Sequence, residues 1–99
     1  MDVRFHRLAI REYEETRAWY ARRREGLGEA FRNEVDRAVA RIAKSPNRWP
    51  VAFVKFRRVR LRRFPYLLYY NVVDDSLALV LAVAHGRRRP GYWRRRLTN

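Results

Sequence analysis

The 99-residue sequence predicts one α+β domain: an N-terminal strand, a helical hairpin, then a three-stranded antiparallel sheet that ends in a short basic C-terminal segment. Three observations carry this reading. Between Leu8 and Lys44 apolar residues recur at helical spacing in two stretches of similar length. After Pro50 the period changes. There Leu67 to Val73 and Leu77 to Ala84, dense in aliphatic, β-branched and aromatic residues, flank the turn-forming Asp74, Asp75 and Ser76, as in a hairpin. Finally, no linker, internal repeat or low-complexity run divides the chain.

Taken in order, Val3 and Phe5 alternate with Arg4 and His6, the pattern of a half-buried strand over Asp2 to His6. From about Leu8 to Arg24, Ala9, Tyr13, Thr16 and Tyr20 fall on one face of a helix. Gly26 and Gly28 bracket Leu27 and predict the helix-helix turn. The second helix, from about Glu29 to Lys44, buries Phe31, Val35, Ala38 and Ile42, with Val39 widening the stripe. Ser45 to Pro50 stop it, because proline lacks the amide and disfavours helix at the preceding residue. The apolar segment from Val51 to Phe56 fits either a short edge strand or a packed loop. Val59 and Leu61 then alternate with Arg58, Arg60 and Arg62, so one strand face turns inward and the other is lined with guanidinium groups. Phe64 and Pro65 turn the chain into the hairpin. That hairpin is apolar on both faces, with Leu68, Tyr70 and Val72 on one and Leu67, Tyr69 and Val73 on the other. Both faces therefore need cover. The helices cover one, and the other is either open or covered by the C-terminal tail and a partner.

Composition narrows the function. There are 24 Lys plus Arg against 10 Asp plus Glu, a net charge of +14, and only Lys44 and Lys55 are lysines. Splitting the chain before Trp49 gives 12 basic and 8 acidic residues, then 12 and 2, so the halves carry +4 and +10. Such a field attracts nucleic acid, acidic protein or anionic lipid and invites self-repulsion unless a partner neutralises it. With no cysteine, disulfides, thiolate catalysis and sulfur-ligated zinc are excluded, and His6 and His85 are the only imidazoles. No apolar run approaches the ~20 residues that span a bilayer, and the N-terminus lacks a signal-peptide core, which predicts a cytoplasmic protein with no membrane partner.

The element order, together with RRFPYLLYYNV and LALVLAVAHGRRRPGYW, resembles the RelE/ParE superfamily of bacterial type II toxin-antitoxin toxins, especially the ParE-like plasmid-stabilisation proteins. The resemblance spans essentially the whole chain, residues 1–99, and HGRRRPGYW at 85–93 is its most specific piece. It implies a cytoplasmic, growth-inhibiting toxin neutralised by an acidic cognate antitoxin whose C-terminal segment wraps it. For a +14 protein an acidic, amphipathic wrapping segment is also the physical expectation. Within the superfamily, RelE-like members are mRNA endoribonucleases that cut on the ribosome, whereas ParE-like members poison DNA gyrase and lack the nuclease residues.

Mapped onto this chain, the resemblance implies a mixed set of nuclease residues. Arg58 and Arg60 fall where RelE-like enzymes carry basic strand residues, Arg87 or Arg88 falls near a basic residue after the last strand, and Tyr92 or Trp93 near the RelE aromatic. Leu67, however, stands where RelE carries an arginine. If the chain were an RNase, Arg58, Arg60, His85, Arg88 and Tyr92 would be its catalytic candidates, with His85 as base and Arg88 stabilising the phosphorane charge. In the ParE-like reading, which the Leu67 departure favours, the target-binding surface is Arg87, Arg88, Arg89, Tyr92, Trp93 and Arg94, anchored by Trp93. Arg58, Arg60 and Arg62 are the expected contacts with an acidic partner.

Simpler readings stand beside these. A histidine at a strand end is often structural, Trp93 and Tyr92 can pack the tail onto the sheet, and Arg94 to Arg96 can be a solvated basic end. The helix carboxylates, Glu12 and Glu34 among them, read as ordinary solvent-facing charge. No cofactor or metal is implied, and a plain nucleic-acid-binding module is the remaining alternative.

Overall fold

Both expected helices and the central hairpin form. The computed structural model describes residues 1–98, in the order β1 (Asp2–Phe5), α1 (Arg7–Arg23), α2 (Leu27–Lys44), β2 (Val51–Phe53), β3 (Phe56–Arg60), β4 (Tyr66–Val72), β5 (Leu77–His85) and a 3-10 helix (Arg94–Thr98). The sheet differs from the expected three strands. It has five, ordered β1-β5-β4-β3-β2, because Val51–Phe53 pairs with β3 as an edge strand and β1 joins the other edge. β1 runs parallel to β5, from Asp2 opposite Leu77 to Phe5 opposite Val80, since the helical hairpin carries the chain across the sheet before it returns. The remaining neighbours are antiparallel.

His6 starts α1: its Nδ1 accepts the Leu8 amide at 3.1 Å as an N-cap. Gly26, at φ 82°, makes the turn between the helices, a left-handed conformation that costs glycine little. Gly28 is not part of that turn. It lies inside α2, where a Cβ would sit 2.9 Å from the Ala21 Cβ, so its missing side chain lets the two helices close together. Tyr70 joins sheet to loop by donating its hydroxyl to the Pro46 carbonyl at 2.5 Å.

Two apolar cores lie on the two sides of the sheet. On the helix side Ala9, Phe31, Val35, Ala38 and Ile42 meet Val59, Leu68, Tyr70, Val80 and Val83, with Tyr13 and Tyr20 packed against them. On the far side Phe56, Leu67, Tyr69, Leu81, Ala82 and Ala84 surround Trp93, so the C-terminal tail is the cover of the second face. Val73 finds no cover and is 48 % exposed just beyond the end of β4. A register shift in the β4–β5 ladder pairs Tyr69 with Ala82 but Tyr70 with Val80. The extra residue is Leu81, and it turns with Ala82 toward the tail.

At the turn from β2 to β3, Val54 takes φ 52° and is 78 % exposed, a conformation costly for a β-branched residue. Among the described residues no helix is long and apolar enough to cross a membrane.

Candidate functional site

The tail is fixed by one carboxylate. β1 stops pairing at Val80, which leaves the outer edge of β5 open beyond it. Glu12, on α1, reaches that edge. It accepts the Val83 amide at 3.0 Å, the Tyr92 hydroxyl at 2.7 Å and both Arg96 Nη atoms at 2.9 and 3.0 Å, while Arg96 Nη1 also donates to the Leu81 carbonyl at 2.7 Å. Burial first, then the bond to Glu12, pushes the Tyr92 hydroxyl well above its ordinary pKa. Trp93 fills the space beneath, stacked on Tyr69 and edge-on to Phe56 with no exposed surface. Among the described residues its Nε1 has no hydrogen-bond partner, and aromatic packing holds the ring there.

A second carboxylate fixes the arginine strand. Glu34, almost wholly buried, accepts the amides of Arg62 and Arg63 at 2.9 and 3.2 Å and Arg37 Nη1 at 2.9 Å. Burial alone would raise its pKa. The two amides and Arg37 outweigh that and lower it. Glu12 and Glu34 are thus structural clamps, not the solvent-facing charges that helical spacing suggested.

These clamps shape a groove of about 730 Å³ on the face away from the helices. Arg58, Arg60 and Arg62 wall it from the β3 side, Arg41, Arg48 and Trp49 close its end, and Gly86, Pro90 and Gly91 form the tail side over Leu67 and Tyr69. No carboxylate is among its described lining residues. Arg41 has its pKa lowered by burial and then by the charge of Arg62, a sign of crowded cations.

The expected nuclease residues divide between two places: Arg58 and Arg60 on the tail face, His85 with Arg88 and Tyr92 at the end of β5. Arg58 and Arg60 pair with Tyr69 and Leu67 on the tail face. His85 pairs with Tyr66, whose ring it meets at 5.2 Å, and shares a hollow with Glu15, Thr16, Trp19 and Tyr20 on the helix side. Its Nδ1 accepts the Arg87 amide at 3.0 Å. Arg88 lies beside it, stacked on Tyr92 at 4.0 Å.

Of the expected target-binding residues, Arg87, Arg88, Arg89 and Arg94 are exposed and Tyr92 is half-buried. Arg89, Tyr92 and Arg94 line a surface hollow of about 590 Å³ with Pro90, Gly91 and Arg95. Trp93 is the correction: with no exposed surface it anchors the tail to the sheet and offers nothing to a target. Arg96, expected in a solvated end, has a side chain only 14 % exposed. A third groove, of about 480 Å³, runs beside β1 and is apolar, formed by Val3, Phe5, Ile10, Tyr13, Val35 and Val39, with Arg4, Glu14 and Asp36 at its rim. Among the described residues no cluster of histidine and carboxylate side chains could hold a metal ion.

The model of the family described as "ParE toxin of type II toxin-antitoxin system, parDE" matches residues 3–90. The chain belongs to the ParE toxin family. It is 36 % identical over 56 residues to Toxin ParE2 of Mycobacterium tuberculosis, in both the CDC 1551/Oshkosh and ATCC 25618/H37Rv strains. That alignment covers 57 % of this chain and 52 % of the relative, so the chain spans about half the length of the curated relatives it matches. A solved structure titled "Chromosomal ParDE TA system from P. aeruginosa" shares the fold, with a TM-score of 0.68 at 17 % identity, over 86 % of this chain and 95 % of that one. ParE membership agrees with the resemblance read from HGRRRPGYW and the arginine-flanked strands.

Proposed function

We propose that this ParE-family chain is a toxin neutralised by an acidic cognate antitoxin and that it poisons DNA gyrase by binding, without chemistry of its own. The observation that carries the choice over RNA cleavage is the separation of His85 from the arginine strand, with Leu67 in place of an arginine. RNA cleavage through the 2′-hydroxyl needs a base and a charge stabiliser around one phosphate. His85 faces α1 with Arg88 as its one neighbour from the candidate set's arginines, while Arg58 and Arg60 face the tail-side groove on the other side of the sheet, and Leu67, standing where RelE carries arginine, is buried beneath that groove. Binding makes no such demand. The exposed Arg87, Arg88, Arg89 and Arg94, held in place by the Glu12–Arg96 pair and by Trp93, offer a cationic surface for a target.

The apolar groove beside β1 and the helical hairpin, next to one open strand edge, suits the apolar side of a wrapping antitoxin segment. Acidic residues of that segment would meet the arginines. Two assays on purified, antitoxin-free protein test the reading. Supercoiling by gyrase should be inhibited while messenger RNA on translating ribosomes stays intact, and deleting residues 87–99 should abolish the inhibition. Ribosome-dependent cleavage lost in His85→Ala or Arg88→Ala, with gyrase unaffected, would overturn it.

A further inference from the structure

The tail-side groove lies outside the gyrase-binding surface proposed above, and its chemistry is specific. Arg58 and Arg60 project from one face of β3 at about 6.6 Å along the strand, the rise of two residues. Arg62 continues the row, its backbone pinned by Glu34. Arg41 and Arg48 close the end, and no acidic residue is among the described lining residues; Glu34, which acts on Arg41 from outside the groove, is already engaged by Arg37 and by the Arg62 and Arg63 amides.

What the groove lacks decides its ligand. Its floor, Leu67, Tyr69 and Trp93, is at most 9 % exposed. The aromatic rings at its rim already have cations against them: Arg48 lies 5.0 Å and Arg41 5.8 Å from the Trp49 ring, and Arg94 lies 4.6 Å from that of Phe53. A protein partner draws most of its affinity from anchors buried in apolar pockets, and base recognition needs open aromatic platforms. Neither is offered here. Guanidinium N–H groups are, in a fork geometry suited to phosphate oxygens.

We infer that this groove binds the phosphodiester backbone of a nucleic-acid strand, independently of sequence. The inference extends the proposed function, placing the DNA of the poisoned gyrase complex on the face opposite the helical hairpin, but it is testable without gyrase. Binding of the purified protein to labelled single-stranded DNA and RNA of the same arbitrary sequence is measured by anisotropy across about 50 to 200 mM salt. Wild type should bind both alike. Replacing Arg58, Arg60 and Arg62 together by Gln should flatten the slope of log K against log salt by about 2, from about 0.7 per phosphate contact on a single strand.

A control carrying Arg11→Gln, Arg22→Gln and Arg24→Gln loses the same charge from α1 and its end, and should keep most of the slope. Far-UV circular dichroism checks the fold. Should the triple variant misfold, Arg58→Gln and Arg60→Gln singly should each flatten the slope by about 0.7. An unchanged slope in the groove variants overturns the inference, as does an equal loss in the α1 control. So does displacement of the oligonucleotide by poly-glutamate at lower charge concentration than by unlabelled DNA, which would make the groove a site for acidic protein. If supercoiling is inhibited although no oligonucleotide binds, this inference fails and the gyrase reading stands. If oligonucleotides bind through the groove and gyrase is untouched, the reverse holds.

Discussion

Replacing Glu12 by Ala removes the acceptor for four hydrogen bonds, those from the Val83 amide, the Tyr92 hydroxyl and two from Arg96. The Glu12 and Arg96 side chains are 17 % and 14 % exposed, so the ion pair is largely shielded from solvent. Breaking a buried pair by removing one partner costs about 3–5 kcal/mol, because the remaining charge is left without compensation. Arg96 keeps its bond to the Leu81 carbonyl and its place 5.1 Å from the Tyr92 ring, which favours the lower end. The expected loss is therefore about 3 kcal/mol. Glu12→Gln retains an acceptor for Val83 and loses the charge, for about 1–2 kcal/mol. Urea unfolding followed by circular dichroism measures both, and the coupling in a double-mutant cycle with Arg96→Gln isolates the pair. A solvent-facing glutamate would change stability by about 0.5 kcal/mol at most. If Glu12→Ala falls within that range, the clamp is not what holds the tail.

Trp93→Ala should cost about 3–5 kcal/mol in thermal unfolding, whereas Trp93→Phe, which keeps an aromatic ring and removes an indole N–H with no partner among the described residues, should cost clearly less. Glycine adopts φ 52° without the strain that valine bears there, so Val54→Gly should raise the urea midpoint, by about 1 kcal/mol of stability. Glu34 has a folded-state pKa below its unfolded value of 4.5. Its contribution is thus fully present above that value and fades as pH falls through the lowered one. The stability gap between wild type and Glu34→Gln, measured by denaturation from neutral pH downward, should accordingly narrow in acid; a gap that stays constant would show that the carboxylate charge is not what the Arg62 and Arg63 amides recognise.

Those elements whose period was clean were legible in the sequence. Ala9, Tyr13 and Tyr20 on α1 and Phe31, Val35, Ala38 and Ile42 on α2 pack as their spacing predicted, and the alternation of Val59 and Leu61 with arginine placed the guanidinium row. The parallel pairing of β1 with β5 was not legible, because four residues carry no mark of which strand they will join. Gly28 looked like a turn residue because its reason for being glycine, the Ala21 side chain, lies one helix away. Glu12 and Glu34 were missed for a related cause. Their partners are 71 and 28 residues distant, at Val83 and Arg62, and a charge on a helix gives no local sign that a backbone amide will meet it. Only an excess of unpaired strand edge could have hinted at it. Trp93 was read two ways, as packing and as target anchor, since a tryptophan between arginines fits a buried or an exposed tail equally, and the sheet's second apolar face decided the matter.

That second face also bears on whether the chain does chemistry. A site that cleaves RNA must take a proton and give one back near neutral pH, so the decisive question is which groups in the groove can titrate there. Arginine cannot, since its guanidinium stays protonated throughout the working range. Among its described lining residues the groove has five arginines, one tyrosine only 9 % exposed and stacked on Trp93, and no histidine, lysine or carboxylate. His85, the one imidazole near the tail, lies across the sheet with Nδ1 engaged by the Arg87 amide. His6 is occupied as the N-cap of α1. A groove of permanent cations can attract a polyanion and hold it, but it has no means of activating a 2′-hydroxyl. The groove is thus suited to holding a polyanion, as the binding role proposed above requires.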